Sequence, residues 1–391
     1  MAARSEDIGR VFALKKTSVT NHIRHPMLLH EACTLVLLRG TSRLNPYETR
    51  QSGFPRSIAW GRSQYFEYLV MERLGRSLKD TIDTIGATRL TLRNLVVLIC
   101  QILDITEHLH EKGIIHCDLK PHNFLFGLGQ NAGRLHLVDF GLARPWIDPK
   151  IGKPFPEESN FGFRGTPPFA SRHTHQGHTP SHRNDMESVA YILVDLLTGT
   201  LPWTDTKSDD KLLPILYAHS GRTLCQGYDD IFAQFVDYTR SLDYEDTPKY
   251  RHWRRAFHEL ITGLSEDVVF DPEDDSERRV GVQKSVNRLR CEDWPKPAEH
   301  DDSDPFLERI FGGDTRSSHG GTHGFALNWG SSWSCGAAIQ AGNVFGDEFA
   351  IVKDSVEFID APPDYSLGSC TYPGLAPPEQ MKNDQCDFRC I

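Results

Sequence analysis

The segment His116-Cys-Asp-Leu-Lys-Pro-His-Asn123, followed by Val138-Asp-Phe-Gly141, carries most of the information on how this chain of 391 residues folds. Phosphoryl transfer needs one carboxylate to orient a hydroxyl nucleophile, and a side-chain amide with a second carboxylate to hold Mg²⁺. Asp118, Asn123 and Asp139 occupy these positions in the required order. An isolated Asp-Phe-Gly also occurs in turns, but the joint spacing favours metal ligation. The two motifs therefore predict phosphoryl-transfer chemistry.

One residue in the first motif departs from the usual pattern of protein kinases. Cys117 stands where His-Arg-Asp has an arginine. In many kinases that arginine pairs with a phosphate on the activation loop, and a thiol cannot form such an ion pair. We therefore expect an activity that does not need loop phosphorylation. A reactive thiol is an alternative role for Cys117, but a buried and inert cysteine is the commoner case.

Two charged residues upstream complete a predicted nucleotide site. Val11-Phe-Ala-Leu-Lys15 alternates as a strand does and ends in a lysine that can hold the α- and β-phosphates. Lys16 is a nearby competitor, but the pattern selects the lysine two residues after the alanine. Glu31 lies in a helical pattern over residues 28–38, where it can pair with Lys15.

Two apolar segments predict the helices that hold the catalytic loop. Residues 95–109 repeat apolar side chains at helical spacing, and residues 185–197 read as a largely buried helix. Asp185, at the start of the second helix, is the candidate anchor for the backbone of the catalytic loop. His116 and Phe140, within the two motifs, are expected to have structural roles.

Four further segments extend the pattern: Gly165-Thr-Pro-Pro-Phe-Ala-Ser171, Thr174-His-Gln-Gly177, Arg183-Asn-Asp-Met-Glu-Ser188 and Leu201-Pro-Trp203. With the motifs above they resemble the casein kinase I family of serine/threonine protein kinases, over about residues 9–264. The resemblance implies an α+β, two-lobed kinase fold, in which a small N-terminal sheet carries one long helix and the larger lobe is helical. It also implies that nucleotide binds in the cleft between the lobes.

The resemblance implies roles for further residues. Met71-Glu-Arg-Leu-Gly75 resembles the hinge of the family. The hinge residues expected at the nucleotide site are Met71, Glu72 and Leu74. Lys120 is the residue that serine/threonine kinases keep after the catalytic aspartate, and Thr166 can hydrogen-bond Asp118. The implied reaction transfers the γ-phosphate of ATP, with Mg²⁺ as cofactor, to Ser and Thr hydroxyls of protein substrates.

The segment before Lys15 departs from the family. It contains fourteen residues and one glycine, Gly9, so the glycine-rich loop that covers ATP phosphates is missing. Two strands with their loop need roughly twenty residues. We therefore expect an incomplete N-terminal sheet, as if a missing exon or real loss had removed the strands before the third. A pseudokinase or scaffold that binds partners without efficient phosphotransfer is the alternative function.

Substrate choice is also expected to differ from the family. Pro167-Pro168 stand where the family has Ala-Arg, and residues 206–211 replace a strongly basic stretch. Arg172 and Arg183 can compensate in part. We therefore expect a weaker preference for acidic or phosphorylated substrates than family membership alone implies.

Composition bounds the class of protein. With 39% hydrophobic and 25% charged residues the chain has an ordinary globular composition, and its net charge of −10 disfavours nucleic acid as a partner. No apolar run is long enough to span a bilayer, and the N-terminus lacks a secretion signal. The nine cysteines lack paired Cys-Xaa-Xaa-Cys spacing. We expect a monomeric cytoplasmic or nuclear enzyme whose partners are ATP and protein substrates, with no membrane or nucleic-acid partner.

The composition changes after Leu264. Acidic and Gly/Ser-rich stretches without helical or strand period follow, and such stretches rarely bury enough apolar surface to fold. The sequence therefore predicts a kinase domain at residues 9–264 and a mostly disordered extension at residues 265–391. Within the extension, residues 345–359 contain an alternating patch that can pair with a partner of unspecified kind, and the extension is expected to be a linker, a substrate or a docking segment.

Overall fold

The computed structural model describes residues 2–5, 11–18, 27–39, 53–62, 65–85, 90–148, 150–206, 209–265, 267–274, 356–359 and 387–389. These residues form a small antiparallel sheet with one long helix, and a larger part that is mainly helical. The small sheet and the helical part have separate apolar clusters. The predicted α+β architecture of two lobes is confirmed.

Strands and helices are numbered in chain order. The strands are β1 (Ala2–Ser5), β2 (Val11–Ser18), β3 (Ser57–Arg62), β4 (Phe66–Glu72), β5 (Ile114–Ile115), β6 (Phe124–Phe126), β7 (Leu135–Leu137), β8 (Arg144–Pro145), β9 (Ile147–Asp148), β10 (Lys153–Pro154), β11 (Val356–Ile359) and β12 (Asp387–Arg389). The helices are α1 (Met27–Arg39), α2 (Leu78–Ile85), α3 (Leu92–Glu111), α4 (Arg172–His175), α5 (His182–Thr198), α6 (Asp209–Ala218), α7 (Gly221–Leu224), α8 (Asp230–Arg240) and α9 (Tyr250–His258). Within the described residues, no helix combines the length and apolar character that a membrane crossing requires.

The sheet of the small lobe is antiparallel and has the order β11-β1-β2-β4-β3-β12. Strand β2 pairs with β4 in a register that sets Lys15 opposite Leu69 and Ala13 opposite Met71. Because side chains alternate across a strand, these four lie on one face of the sheet. Leu28 of α1 packs on that face, so the register directs Lys15 toward the helix.

Short strands flank the lysine strand and its neighbours at both edges of this sheet. Residues 2–5 form β1, which pairs with the lysine strand β2. Strand β11 pairs with β1, and β12 pairs with β3 at the opposite edge. The last four residues of the alternating patch thus find a partner, because an edge strand offers unpaired N–H and C=O groups. Gly9 and the rest of the patch lie outside the described residues.

Helix α1 joins the sheet to the large lobe. Leu28 and Ala32 pack on the sheet, whereas Leu35 and Leu38 belong to the core of the large lobe together with Phe54. This spacing of three and four residues gives a helix its apolar faces. The helix predicted over residues 28–38 is therefore confirmed, and it contacts both lobes.

Helices α3 and α5 form the centre of the large lobe, and both match segments predicted from apolar spacing. Helix α3 begins after Thr91, whose Oγ1 accepts a hydrogen bond from Asn94 N, and it ends before Gly113 with φ +70°. Helix α5 is almost entirely buried and ends at Gly199 in the left-handed conformation. Burial of a large apolar side chain contributes about 1.5–3 kcal/mol to the free energy of folding, so the many buried residues of these two helices stabilise the large lobe.

The core continues past the predicted domain boundary at Leu264. Phe270 is 4% exposed, and its ring stacks on that of Phe126 with centroids 4.9 Å apart. Asn94 Nδ2 donates to the carbonyl of Asp271 over 2.7 Å, and Asn94 Oδ1 accepts from the amide of Asp271 over 3.2 Å. The acidic composition of this segment hid these contacts, because they use one aromatic ring and the backbone. Most of the extension beyond Asp274 lies outside the described residues.

Candidate active site

Three side chains of the catalytic loop and the activation segment form a closed triangle. Lys120 Nζ donates to Asp118 Oδ2 over 2.8 Å and to Thr166 Oγ1 over 2.7 Å. Thr166 Oγ1 in turn donates to Asp118 Oδ1 over 2.7 Å. Both oxygens of the aspartate are therefore held, and one of them is paired with a cation. The carboxylate has a fixed orientation from which it can accept a hydrogen bond from a hydroxyl group.

The loop backbone connects this triangle to the two predicted metal ligands. Asn123 Nδ2 donates to the carbonyl oxygen of Asp118 over 2.8 Å, which leaves the amide oxygen of Asn123 as its available ligand atom. The backbone amide of Val138 donates to the carbonyl of Asn123 over 2.9 Å, so the strand before Asp139 is tied to the catalytic loop. A carboxylate and an amide oxygen are ligands that suit Mg²⁺.

The ring of His116 forms hydrogen bonds with the backbone of both motifs. Its Nδ1 accepts a hydrogen bond from Asp118 N over 3.3 Å, and its Nε2 donates to the carbonyl of Val138 over 3.2 Å. Burial lowers the pKa of His116, which keeps the ring neutral and in this tautomer. The ring also makes an edge contact with Phe140 at 5.1 Å. His116 and Phe140 therefore pack the two motifs against each other.

Asp185, in the first turn of α5, anchors the backbone of the catalytic loop. Its carboxylate accepts hydrogen bonds from His116 N over 2.7 Å and from Cys117 N over 3.0 Å. His110 Nε2 donates to the same carboxylate over 3.0 Å, and His110 Nδ1 accepts from the hydroxyl of Tyr250. Burial opposes the charge of Asp185, but the bond from His110 and the loop amides outweigh it, so its pKa is lowered.

The ammonium of Lys15 lies between two carboxylates. Its Nζ is 2.7 Å from Glu31 Oε2 on α1 and 2.6 Å from Asp139 Oδ1. Burial acts against the charge on Lys15, but the two carboxylates raise its pKa overall. Burial raises the pKa of Glu31 in spite of Lys15, whereas Lys15 overcomes burial at Asp139 and lowers its pKa. The arrangement keeps Lys15 protonated.

The predicted hinge lies beside this cluster, but one of its side chains is used elsewhere. Glu72 pairs with Arg39 at 3.2 Å and accepts from Arg56 N, so the structure does not bring its carboxylate to the catalytic residues. Met71 is buried beneath the sheet. Leu74 is half-buried, and within the described part of the chain its backbone makes no hydrogen bond. The backbone of Leu74 is therefore available to a ligand.

The activation segment is held by an aromatic clamp that the sequence analysis missed. The guanidinium groups of Arg144 and Arg164 lie 4.5 and 4.6 Å from the ring centre of Phe161, which is thus flanked by two cations. Such contacts contribute about 0.5–2 kcal/mol each. Phe161 and Arg164 are close in the sequence, but Arg144 lies seventeen residues before Phe161, so no local motif marks the three residues as a group.

Cys117 lies near this clamp and shows no sign of a reactive thiol. Burial raises the pKa of its thiol, which disfavours the nucleophilic thiolate. Its backbone has φ +68°, and its carbonyl oxygen would come within 2.7 Å of a Cβ placed on Gly165. The close approach requires glycine at residue 165, next to Thr166. The inert interpretation of Cys117 therefore agrees with the structure better than the reactive alternative.

The two arginines expected to compensate for lost basic residues are paired inside the protein. Arg172 Nε is 3.1 Å from Glu187 Oε1 on α5. Arg183 hydrogen-bonds Glu157 of the activation segment and lies over the ring of Tyr244. Both cations therefore have acidic partners within the chain, and their part in substrate choice stays a prediction.

The family model named "Protein kinase domain" matches residues 3–243 of the chain. That match spans more than half of the sequence and includes the catalytic loop, the lysine strand and the activation segment. The chain belongs to the protein kinase family. The residues described above, from Lys15 to Asp185, lie within the matched domain.

Proposed function

We propose that this chain is an ATP-dependent serine/threonine kinase of the casein kinase I type, which phosphorylates protein hydroxyls with Mg²⁺ as cofactor. The observation that carries the proposal is the triangle of Asp118, Lys120 and Thr166. A scaffold without catalytic activity would not need a lysine and a threonine that hold both oxygens of one carboxylate. The serine/threonine assignment rests on Lys120 and on the resemblance of the surrounding segments to that family.

The chain's own residues suit each part of the reaction. Bound Mg²⁺-ATP supplies the transferable γ-phosphoryl group and a metal ion that neutralises its charge. Asn123 and Asp139 would hold the metal, while Lys15 would hold phosphate oxygens and Glu31 would orient Lys15. Asp118 would accept the proton of the substrate hydroxyl.

The hinge would receive the base of the nucleotide. Leu74 offers backbone groups, and Met71 provides an apolar wall close to Lys15. Glu72 would contribute through its backbone, because its carboxylate is engaged by Arg39. The two lobes meet along this edge, where concave nucleotide sites commonly form.

Substrate recognition would depend little on acidic or phosphorylated residues. Arg172 and Arg183 are neutralised by internal carboxylates, and Pro167-Pro168 provide no cation. We propose a monomeric enzyme that acts on protein substrates in the cytoplasm or nucleus, without a nucleic-acid or membrane partner.

The test is phosphate transfer from labelled Mg²⁺-ATP to a peptide library that contains Ser, Thr and Tyr acceptors. We expect label on Ser and Thr, and loss of transfer by about 100-fold or more in Asp118→Asn. The control is Asp83→Asn, which removes an exposed carboxylate paired with Lys79 and should leave transfer unchanged. Label on Tyr, or full activity of Asp118→Asn, would contradict the proposal.

A pseudokinase or scaffold that binds partners without efficient phosphotransfer is the second candidate. The two functions differ in their response to nucleotide. A kinase should be stabilised thermally by Mg²⁺-ATP, and Asp139→Ala should abolish that stabilisation. A folded protein that gives neither a shift nor transfer would support the scaffold function.

A further inference from the structure

A buried carboxylate in the small-lobe sheet contacts the beginning of helix α1. Glu67 lies in β4 and is 2% exposed. Its Oε2 accepts from Leu28 N and its Oε1 from Leu29 N, each over 3.2 Å. Trp60 Nε1 donates to Oε1 over 3.0 Å. The three partners that the structure gives this carboxylate are neutral N–H donors.

Glu67 is an acidic residue at one of the buried positions of β4. Glu67, Leu69 and Met71 alternate with outward residues, so all three point to the face that α1 covers. Leu69 and Met71 form apolar contacts there. Burial of a charge among apolar side chains is unfavourable unless specific groups stabilise it. Here the first amides of a helix do so, because they lack partners within the helix and carry partial positive charge.

Such a contact differs from an ordinary helix cap, because the cap belongs to another element. The first turn of α1 contains no acidic residue of its own. Glu67 therefore ties the start of α1 to β4, and Trp60 of the neighbouring β3 orients the carboxylate. The helix and the sheet are joined at a defined point by directional bonds, in addition to apolar packing.

The same helix carries Glu31, which lies one turn beyond the capped amides. Glu31 holds Lys15 at 2.7 Å, and this ion pair forms when α1 stands close to the sheet. A second contact, from His30 Nε2 to the carbonyl of Ala143 over 2.8 Å, ties α1 to the segment after the second motif. A shift at the N-terminus of α1 would move Glu31 away from Lys15 within a single helical turn.

We propose that Glu67 is a positioning residue, which caps helix α1 from the sheet and thereby keeps Glu31 paired with Lys15. The inference rests on the proposed function, because the Lys15–Glu31 pair matters for holding phosphate oxygens. The assembled position of α1 is set within the chain, by a residue that touches neither nucleotide nor substrate.

The test replaces Glu67 with Gln, which keeps the volume but removes the charge and turns an amide group toward an N–H donor. The loss of a cap and of its charge at a helix N-terminus lowers the equilibrium constant for forming the first helical turn by about tenfold. We expect amide hydrogen exchange in residues 28–35 to accelerate by about tenfold. Exchange in α5 should stay unchanged, which shows that the large lobe is intact. Unaltered exchange in α1 would overturn the proposal.

A double-mutant cycle with Glu31→Gln tests whether Glu67 acts through the ion pair. The dissociation constant of Mg²⁺-ATP, from fluorescence titration, should rise about tenfold in Glu67→Gln. In the Glu31→Gln background, the additional change should be less than about twofold, because the pair is already lost. An undiminished effect in that background would show that Glu67 acts by another route and would overturn the proposed coupling.

Two controls keep the result interpretable. Glu259→Gln removes an exposed carboxylate paired with Arg255, and it should change neither exchange nor affinity. Trp60→Phe removes one donor to Glu67 and should accelerate exchange in α1 to a smaller extent, even if Glu67→Gln fails to fold. If the unmodified protein binds no nucleotide, the proposed function fails, while the exchange measurements still decide whether Glu67 holds the helix.

Discussion

Replacement of Asp185 by asparagine should destabilise the protein strongly, because one buried carboxylate satisfies several donors. Asp185 is 1% exposed and accepts from the amides of His116 and Cys117, and from His110 Nε2. Asparagine has one acceptor oxygen, and its amide nitrogen would face an N–H donor. At least one buried donor would lose its partner, and such a donor costs about 1–3 kcal/mol.

The charge-assisted bonds add to this loss. A hydrogen bond to a charged acceptor contributes about 1.5–3 kcal/mol, so we expect Asp185→Asn to lower the free energy of unfolding by about 3 kcal/mol. In a domain of this size 1 kcal/mol corresponds to about 2–4 °C, so Tm should fall by roughly 6–12 °C. Because Asp118 lies in the anchored loop, phosphate transfer should also fall, by about 100-fold for a displacement near 1 Å.

The measurement is urea unfolding followed by tryptophan fluorescence, at several pH values, with Asp83→Asn as the exposed control. The pKa of Asp185 is lowered in the folded protein, so its stabilising contribution is present above about pH 4. That contribution is lost as the pH falls through the folded-state pKa, and the two proteins should converge in acid. A loss below about 1 kcal/mol at pH 7, or a difference that grows in acid, would refute the anchoring role of Asp185.

Three further changes test other parts of the fold. Gly165→Ala should reduce transfer at least tenfold, because its Cβ would meet the carbonyl oxygen of Cys117 at 2.7 Å at a φ of +116°; kinetics equal to those of the unaltered protein would contradict this contact. Iodoacetamide should alkylate Cys117 far more slowly in the native protein than in urea, because burial raises the pKa of its thiol. Mass spectrometry measures the two rates, and equal rates would contradict the inert interpretation. A chain that ends at Leu264 should unfold at a lower urea concentration than one that ends at Asp274, because the first lacks Phe270; coincident transitions would show that the segment adds no stability.

Several helices, the lysine strand and much of the candidate site could be predicted from local sequence patterns, whereas the resemblance to a kinase family implied the two-lobed fold. The spacing of Asp118, Asn123 and Asp139 reflects a loop and a strand of fixed length, and such spacing is visible in one dimension. Helices α3 and α5 follow from apolar residues at helical period, and the lysine strand follows from alternation. Each of these signals depends on backbone geometry that repeats within a few residues.

The extension shows where such reasoning fails. Acidic residues around Asp271 predicted a solvated segment, yet Phe270 and the backbone of Asp271 dock on the large lobe. Composition reports whether a segment can form its own core. It does not report whether one aromatic ring can enter a core that already exists. The edge strand β11 is similar, because its partner is a strand at the other end of the sequence.

What the sequence by itself determined is the class of chemistry and the elements that present it, because motif spacing and periodicity are local properties of the chain. The tertiary structure decided which charges meet. It paired Arg183 with Glu157, and it set Glu67 against the start of α1, and no pattern in the sequence indicated either contact. These pairings depend on which elements pack against each other within each lobe, and residues that are distant in the sequence meet there, so no short stretch of sequence encodes the contacts.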